Sequence, residues 1–210
     1  EEEALIEAFQ RGEDIHDRTA LKVFGPNSGL DKHELRRRAK IINYALLYGK
    51  TAFTLAKDIG VTPAVAQEFI DAYFGGFPRV RTFIDATIAH ARTRGFVETM
   101  FGRRRMVPEL NSRNGQIRQA AERMTVNFPI QGTAADILKK AMLRVHDALA
   151  RDTSARMILT VHDELLIESP EASAEAVAAQ VRDAMQGAAS LKVPLTVDVG
   201  IGPNWREAKS

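Results

Sequence analysis

Residues 34–49, ELRRRAKIINYALLYG, hold no proline, and their first glycine is Gly49. They can therefore run as one helix of about four turns. Within that helix, Arg36, Lys40, Tyr44 and Tyr48 follow one another at i, i+4 steps. They lie in one slowly drifting stripe. Ile41, Ile42, Leu46 and Leu47 supply apolar surface beside or behind it. A stripe with two cations at one end and two rings at the other is an odd face to bury. It suits a phosphorylated, planar ligand, with charge for the phosphates and a ring for the base. It equally suits a solvated basic face whose tyrosines close a core. Asp31 precedes the stretch and Glu34 follows three residues on, the spacing of a capping box.

The rest of the first half is also helical in pattern. Residues 1–11 place Ala4, Leu5, Ala8 and Phe9 on one face, and Gly12 breaks the run. Asp14 caps a second helix through Phe24, which carries His16. A lone helical histidine is ordinarily a surface or capping residue. GPNSGL at 25–30 is a turn-rich break. After Gly49 the pattern predicts helices over 51–59, from Pro63 to Phe74 with Thr62 as cap, and over 80–94. Short connections make this a bundle-like lobe.

From Gly95 the character changes. Residues 95–107 read as a small hairpin carrying Arg103, Arg104 and Arg105. Its tip suits a phosphate backbone or a solvated loop alike. Helices are predicted over 111–127 and 133–150, parted at Pro129. Strands are predicted over 156–161 and 165–168, and a helix from Ser169-Pro170 to Met185. Residues 193–201 alternate apolar and polar, the pattern of a half-buried strand. The fold class is α+β: a helical lobe followed by a small antiparallel sheet backed by helices.

The net charge of +2 says little about nucleic acid, but the clustering of cations at 36–40 and 103–105 allows a basic surface on a nearly neutral chain. Without cysteine there is neither a disulfide nor a thiolate metal site. No apolar run reaches membrane-spanning length, and EEEALIEAF is the opposite of a signal peptide. The chain starts without Met, inside an amphipathic pattern, and is expected to be an excised or processed fragment.

His162, Asp163 and Glu164 fall between the two predicted strands. They can be an ordinary polar tip. They can also offer hard oxygen ligands to Mg²⁺ at the end of a rigid strand. Successive side chains of an extended segment diverge, so a second carboxylate has to come from elsewhere.

Four stretches, in order, resemble family A DNA polymerases, the bacterial DNA polymerase I group: RGEDIH at 11–16, RRRAKIINYALLYG at 36–49, ERMTVNFPIQGTAADI at 122–137 and VHDELLIE at 161–168. FGRRR and VGIGPNW are similar too, so the likeness runs essentially from Glu1 to Ser210. The resemblance implies a fingers lobe at 1–94 and a C-terminal palm portion at 95–210, an incomplete right-hand polymerase fold. It implies template-directed synthesis from dNTPs on primer–template DNA in the bacterial cytoplasm, with two Mg²⁺ ions. His16, Arg36 and Lys40 would meet the phosphates, with Lys40 the proton donor to pyrophosphate. Tyr44 would lie under the sugar and base, and Tyr48 at the template-base position. Arg123, Asn127 and Gln131 would touch the minor groove or backbone, His162 the primer terminus, and Arg103 and Arg104 the DNA backbone. Asp163 would bind metal, with Glu164 an auxiliary acid.

Two departures stand out. The common signature has Phe at the place of Tyr44, and Tyr there is associated with easier acceptance of dideoxynucleotides. It also has Gly at the place of Ala45. The family's first palm motif, with the other metal-binding Asp and the Glu that excludes ribonucleotides, would precede Glu1. The isolated chain is therefore expected to be nearly inactive, dependent on an upstream palm and thumb segment, and prone to self-association through an exposed sheet edge. The competing readings are a non-catalytic nucleic-acid-binding module and a metal-dependent phosphohydrolase, the latter needing more carboxylates near residues 162–164.

Overall fold

A computed structural model describes residues 1–26, 28–150 and 154–209. Asn27 of the GPNSGL break lies outside them. The chain divides into two compact units, Glu1–Gly132 and Thr133–Ser210.

The first unit opens with α1 (Glu3–Gln10), α2 (Ile15–Phe24), α3 (Lys32–Leu47), α4 (Ala52–Ile59), α5 (Pro63–Gly76) and α6 (Pro78–Arg94). The starts are set by side-chain caps at the expected places. Asp14 accepts from the backbone N–H groups of His16 and Asp17, Asp31 from Glu34, and Thr62 from Val65. The capping box before α3 is only half formed. The Glu34 carboxylate instead accepts from Arg37 at 2.7 and 2.8 Å and from Arg38 at 2.7 Å. Charge-assisted bonds to two guanidinium groups outweigh one to a neutral N–H. They lower the Glu34 pKa to about 2.

α3 is fixed by its buried side. Ile42, Ala45 and Leu46 pack with Leu55, Ala56 and Ile59 of α4, Ala66, Ile70 and Tyr73 of α5, and Phe77 and Val80. A second cluster, Ala91, Val97, Val107, Leu110 and Ala121, fastens a hairpin of β1 (Phe96–Glu98) and β2 (Arg104–Met106). The hairpin turns through Met100 and Phe101. Arg103 therefore lies beside the turn, and Arg104 and Arg105 in β2.

α7 (Gly115–Leu149) runs unbroken where the sequence predicts two helices, with Pro129 inside it. Proline deprives the Thr125 carbonyl of its N–H and costs about 3 kcal/mol in a helix interior. Buried residues before and after it, Ala121 and Val145, offset that cost.

The second unit contains β3 (Arg156–Val161) and β4 (Glu164–Glu168), antiparallel, with an irregularity between Met157 and Leu159. α8 (Ala174–Gln186) backs this hairpin, with Val177 and Val181 packed on Val145, Leu149 and Ala155. A short 3-10 turn, Glu171–Ser173, precedes α8, so the helix starts later than Ser169-Pro170 suggests. Ile158 and Leu159 are exposed.

Residues 193–201 correct the sequence reading. Val193, Leu195 and Val197 are half-buried and alternate with exposed neighbours, but no strand pairing forms there among the described residues. Alternation marks a pleated segment; a strand also needs a neighbouring edge.

The segment ends in VGIGPNW, which seats α9 (Trp205–Ala208). A Cβ on Gly200 would fall 1.7 Å from the Ala208 carbonyl oxygen, and one on Gly202 would fall 2.8 Å from the Ala208 nitrogen. Close approach therefore requires glycine at both. Gly200→Ala is expected to unseat α9 and cost about 1–3 kcal/mol. Urea unfolding would read the loss, and acrylamide quenching of Trp205, the one tryptophan, should increase. Unchanged quenching would show that α9 does not depend on this contact.

Candidate functional site

In the first unit, the face of α3 opposite the core carries the predicted stripe. Arg36, Lys40, Tyr44 and Tyr48 are all exposed, while Ala39, Ile42, Asn43, Ala45 and Leu46 are buried. With 49 % and 41 % of their surfaces exposed, Tyr44 and Tyr48 lie outside the core. This removes the reading in which they close it. Their rings stack with centroids 6.5 Å apart, and the His16 ring lies 6.1 Å from that of Tyr44.

The cations of the stripe are not equivalent. Arg36 donates from Nε and Nη2 to one oxygen of Asp14, at 2.9 and 2.6 Å. That contact holds the Asp14 carboxyl below its ordinary value. Arg37 and Arg38 are taken up by Glu34. Lys40 has no hydrogen bond or ion pair among the described residues. Of the stripe's cations, Lys40 is thus open to solvent while Arg36 is engaged by Asp14.

His16 joins the same surface from α2. Its Nδ1 lies 3.0 Å from Asn43 Nδ2. Its pKa is lowered, first by burial and then by Arg36 and Lys40, against the opposing pull of Asp14 and Asp17. Sequence reasoning passed over Asn43. Its signal was a polar residue at a position of the apolar face, between Ile42 and Ala45.

α7 contributes Arg123 and Asn127, one turn apart, and Gln131 a turn further on. Gln131 Nε2 donates to the Tyr48 hydroxyl at 3.2 Å. A Cβ on Gly49 would stand 3.0 Å from Arg123 Cγ. Gln131 and Arg123 therefore meet the end of α3. On the hairpin, Arg104 donates to Glu98 at 3.3 Å and lies over the Phe96 ring. Arg103 and Arg105 are exposed.

In the second unit, His162 and Asp163 form the two-residue loop of the β3–β4 hairpin, and Glu164 is already in β4. His162 has φ +53°, the one left-handed non-glycine among the described residues. Two-residue hairpins demand positive φ, normally met by Gly, Asn or Asp. Histidine is less usual there, and its left-handed backbone costs energy that the hairpin must offset. Asp163 is exposed and has no hydrogen bond or ion pair among the described residues. Glu164 accepts from Lys209 Nζ at 2.6 Å, which lowers its pKa, with Trp205 adding to the effect. A hard divalent cation fits Asp163. Among the described residues no group of three or more potential metal ligands gathers.

Residues 1–207 match the family described as DNA polymerase family A. The chain belongs to that family. It is 49 % identical over 209 residues to the thermostable DNA polymerase I of Thermus caldophilus, and 48 % identical over 208 residues to DNA polymerase I of Pseudomonas aeruginosa. Each alignment covers 99 % of this chain, but only 25 % and 23 % of those proteins. The chain thus spans about a quarter of the length of these family A relatives. A solved structure described as the POL domain of Pol1 from M. smegmatis in complex with DNA primer-template and dNTP has a TM-score of 0.93 at 41 % identity. It covers all of this chain, which spans 37 % of that one. The chain is therefore a mostly helical α+β part of a family A polymerase domain. No helix among its described residues is long and apolar enough to cross a membrane.

Asp14→Asn keeps a capping side chain but removes the carboxylate that holds Arg36. This family A chain should then bind inorganic tripolyphosphate about threefold or more tightly, as read by isothermal calorimetry; unchanged affinity would show that Arg36 is not withheld. The same variant isolates a pH effect. Asp14's lowered pKa adds stability that is complete above the ordinary value of 3.8 and is lost as pH falls through the lowered one. The acid limb of the urea midpoints should be shallower in Asp14→Asn, the remainder coming from carboxylates such as Glu34 and Glu164.

Proposed function

We propose that this chain is the fingers (residues 1–94) and C-terminal palm portion (residues 95–210) of a DNA-templated DNA polymerase, an incomplete right hand. The observation that carries this reading is the exposed stripe of α3. Charge and stacked rings are held outward by a buried opposite face, within a chain that matches family A from end to end.

In this reading Arg36, Lys40 and His16 bind the triphosphate of a dNTP. Tyr44 lies under its sugar and base, and Tyr48 occupies the template-base position until α3 closes. Arg123, Asn127 and Gln131 test the minor-groove edge of the new pair, where amides and guanidinium sense shape more than sequence. Arg103 and Arg104 lie on the DNA backbone, and His162 at the primer end. The primer 3′-hydroxyl loses its proton to solvent as its oxygen bonds to the α-phosphorus, and the bond from that phosphorus to the bridging oxygen breaks. Pyrophosphate departs and takes a proton from Lys40 Nζ. Asp163, with Glu164 once released from Lys209, would hold Mg²⁺, which when bound lowers the pKa of the attacking hydroxyl and neutralises the leaving group. In this reading a further metal-binding carboxylate is supplied by an upstream palm segment.

Primer extension tests the reading. With Mg²⁺ and dNTPs, the chain alone should extend poorly. Adding a polypeptide with the upstream palm and thumb of a family A polymerase should restore extension, by about a hundredfold or more over Asp163→Ala in the same mixture. No extension even then would favour a non-catalytic nucleic-acid-binding module.

Tyr44 supplies a second test in that mixture. Its hydroxyl can replace the hydrogen bond that a dideoxy sugar lacks. Tyr44→Phe should therefore raise discrimination against ddNTPs by about tenfold or more. Equal discrimination in both would remove this role for Tyr44.

A further inference from the structure

Asn43 projects into the packed side of α3 and is only 8 % exposed, yet none of the functions above uses it. A buried amide is costly unless its atoms are satisfied. Here both ends are. Thr19, fully buried on α2, has its hydroxyl 3.1 Å from Asn43 Oδ1, and Asn43 Nδ2 lies 3.0 Å from His16 Nδ1. The threonine hydroxyl carries one hydrogen and has a second acceptor, the Ile15 carbonyl, at 2.8 Å. When it serves Asn43 Oδ1, the amide nitrogen must face His16. A nitrogen that receives an N–H bond cannot itself carry hydrogen. His16 Nε2 has no hydrogen-bond partner among the described residues.

We propose that Asn43 is a positioning residue that sets the tautomer of His16: the amide donates to Nδ1 and leaves the ring hydrogen on Nε2, ready to donate to a phosphate oxygen. This rests on the reading in which His16 meets the nucleotide's phosphates. It gives the site a donor that is neutral, unlike Arg36 and Lys40, and that needs no protonation to act. The chain of bonds runs from the core of α2 through α3 and back to α2. It ties the azimuth of His16 to that of the helix bearing the phosphate-binding cations. The charged groups around the ring, Asp14 and Asp17 against Arg36 and Lys40, oppose one another. Burial then favours the neutral ring, the form this arrangement requires.

NMR of the ring nitrogens in the whole 210-residue chain tests this at about pH 8, where ordinary imidazoles are neutral. His16 is identified among five histidines by its loss in His16→Gln. The expected pattern is an unprotonated Nδ1 and a protonated Nε2. Nδ1–H as the main form, which a reversed amide would accept, overturns the proposal; so does the averaging of a free imidazole. Asn43→Asp presents a carboxylate that only accepts, and should move the hydrogen to Nδ1. If that variant does not fold, Thr19→Val removes the anchor of the amide and should erode the Nε2–H preference. An unchanged His16 pattern in a folded variant overturns the proposal.

Inorganic tripolyphosphate then separates positioning from mere packing. Thr19→Val should weaken its binding about threefold or more, but less than about twofold when His16 is already Gln. Equal losses in both backgrounds would make the network structural and overturn the proposal. If tripolyphosphate does not bind the unmodified chain while the tautomer is as expected, the phosphate reading fails and the positioning of His16 stands.

Discussion

The burial of one side of α3 governs what the first unit can do. Ile42, Ala45 and Leu46 lie with almost no exposure in one core cluster with Val23 of α2 and residues of α4 and α5, and at roughly 25 cal/mol per Å² that burial is far stronger than any surface ion pair. It fixes the rotation of the helix about its axis. Once that is fixed, Arg36, Lys40, Tyr44 and Tyr48 have no choice but to face outward. The core presents the stripe as the complement of what it buries.

Electrostatics then sorts residues that look alike in sequence. Four cations lie within five positions, 36–40, and an undivided cluster would repel itself. Glu34 takes Arg37 and Arg38, and Asp14 takes Arg36. Lys40 is left without a partner among the described residues. Asp14 also caps α2, whereas α3 is capped by Asp31, whose carboxylate accepts from the Glu34 backbone N–H. The local start of α2 and the hold on Arg36 are thus set by one side chain.

Much of this was legible because it is local. The i, i+4 stripe, the caps at Asp14, Asp31 and Thr62, and the strands on either side of residues 162–163 follow from spacing and residue type within one element. What escaped was decided mostly by partners distant in sequence. Pro129 reads as a break, yet burial on both sides of it carries α7 through. Residues 193–201 have the alternation of a strand but find no ladder. The capping box at Asp31 has the right residues, but Glu34 prefers arginines that a box rule does not count. Asn43 reads as a misfit on an apolar face until His16 and Thr19 are seen on either side of it.

The same logic separates Asp163 from Glu164. They are adjacent carboxylates, and in sequence either could be a metal ligand. The hairpin puts Asp163 in the loop, exposed, while Glu164 enters β4 and is drawn to Lys209. That lysine is delivered by α9, which can sit where it does only because Gly200 and Gly202 have no side chain. A cation arriving at the loop meets a ready oxygen on Asp163 and an engaged one on Glu164. Binding to the second therefore has to displace an ammonium group, at a cost the first does not bear. Two residues of one chemical type are made unequal by a pair of glycines more than thirty positions away.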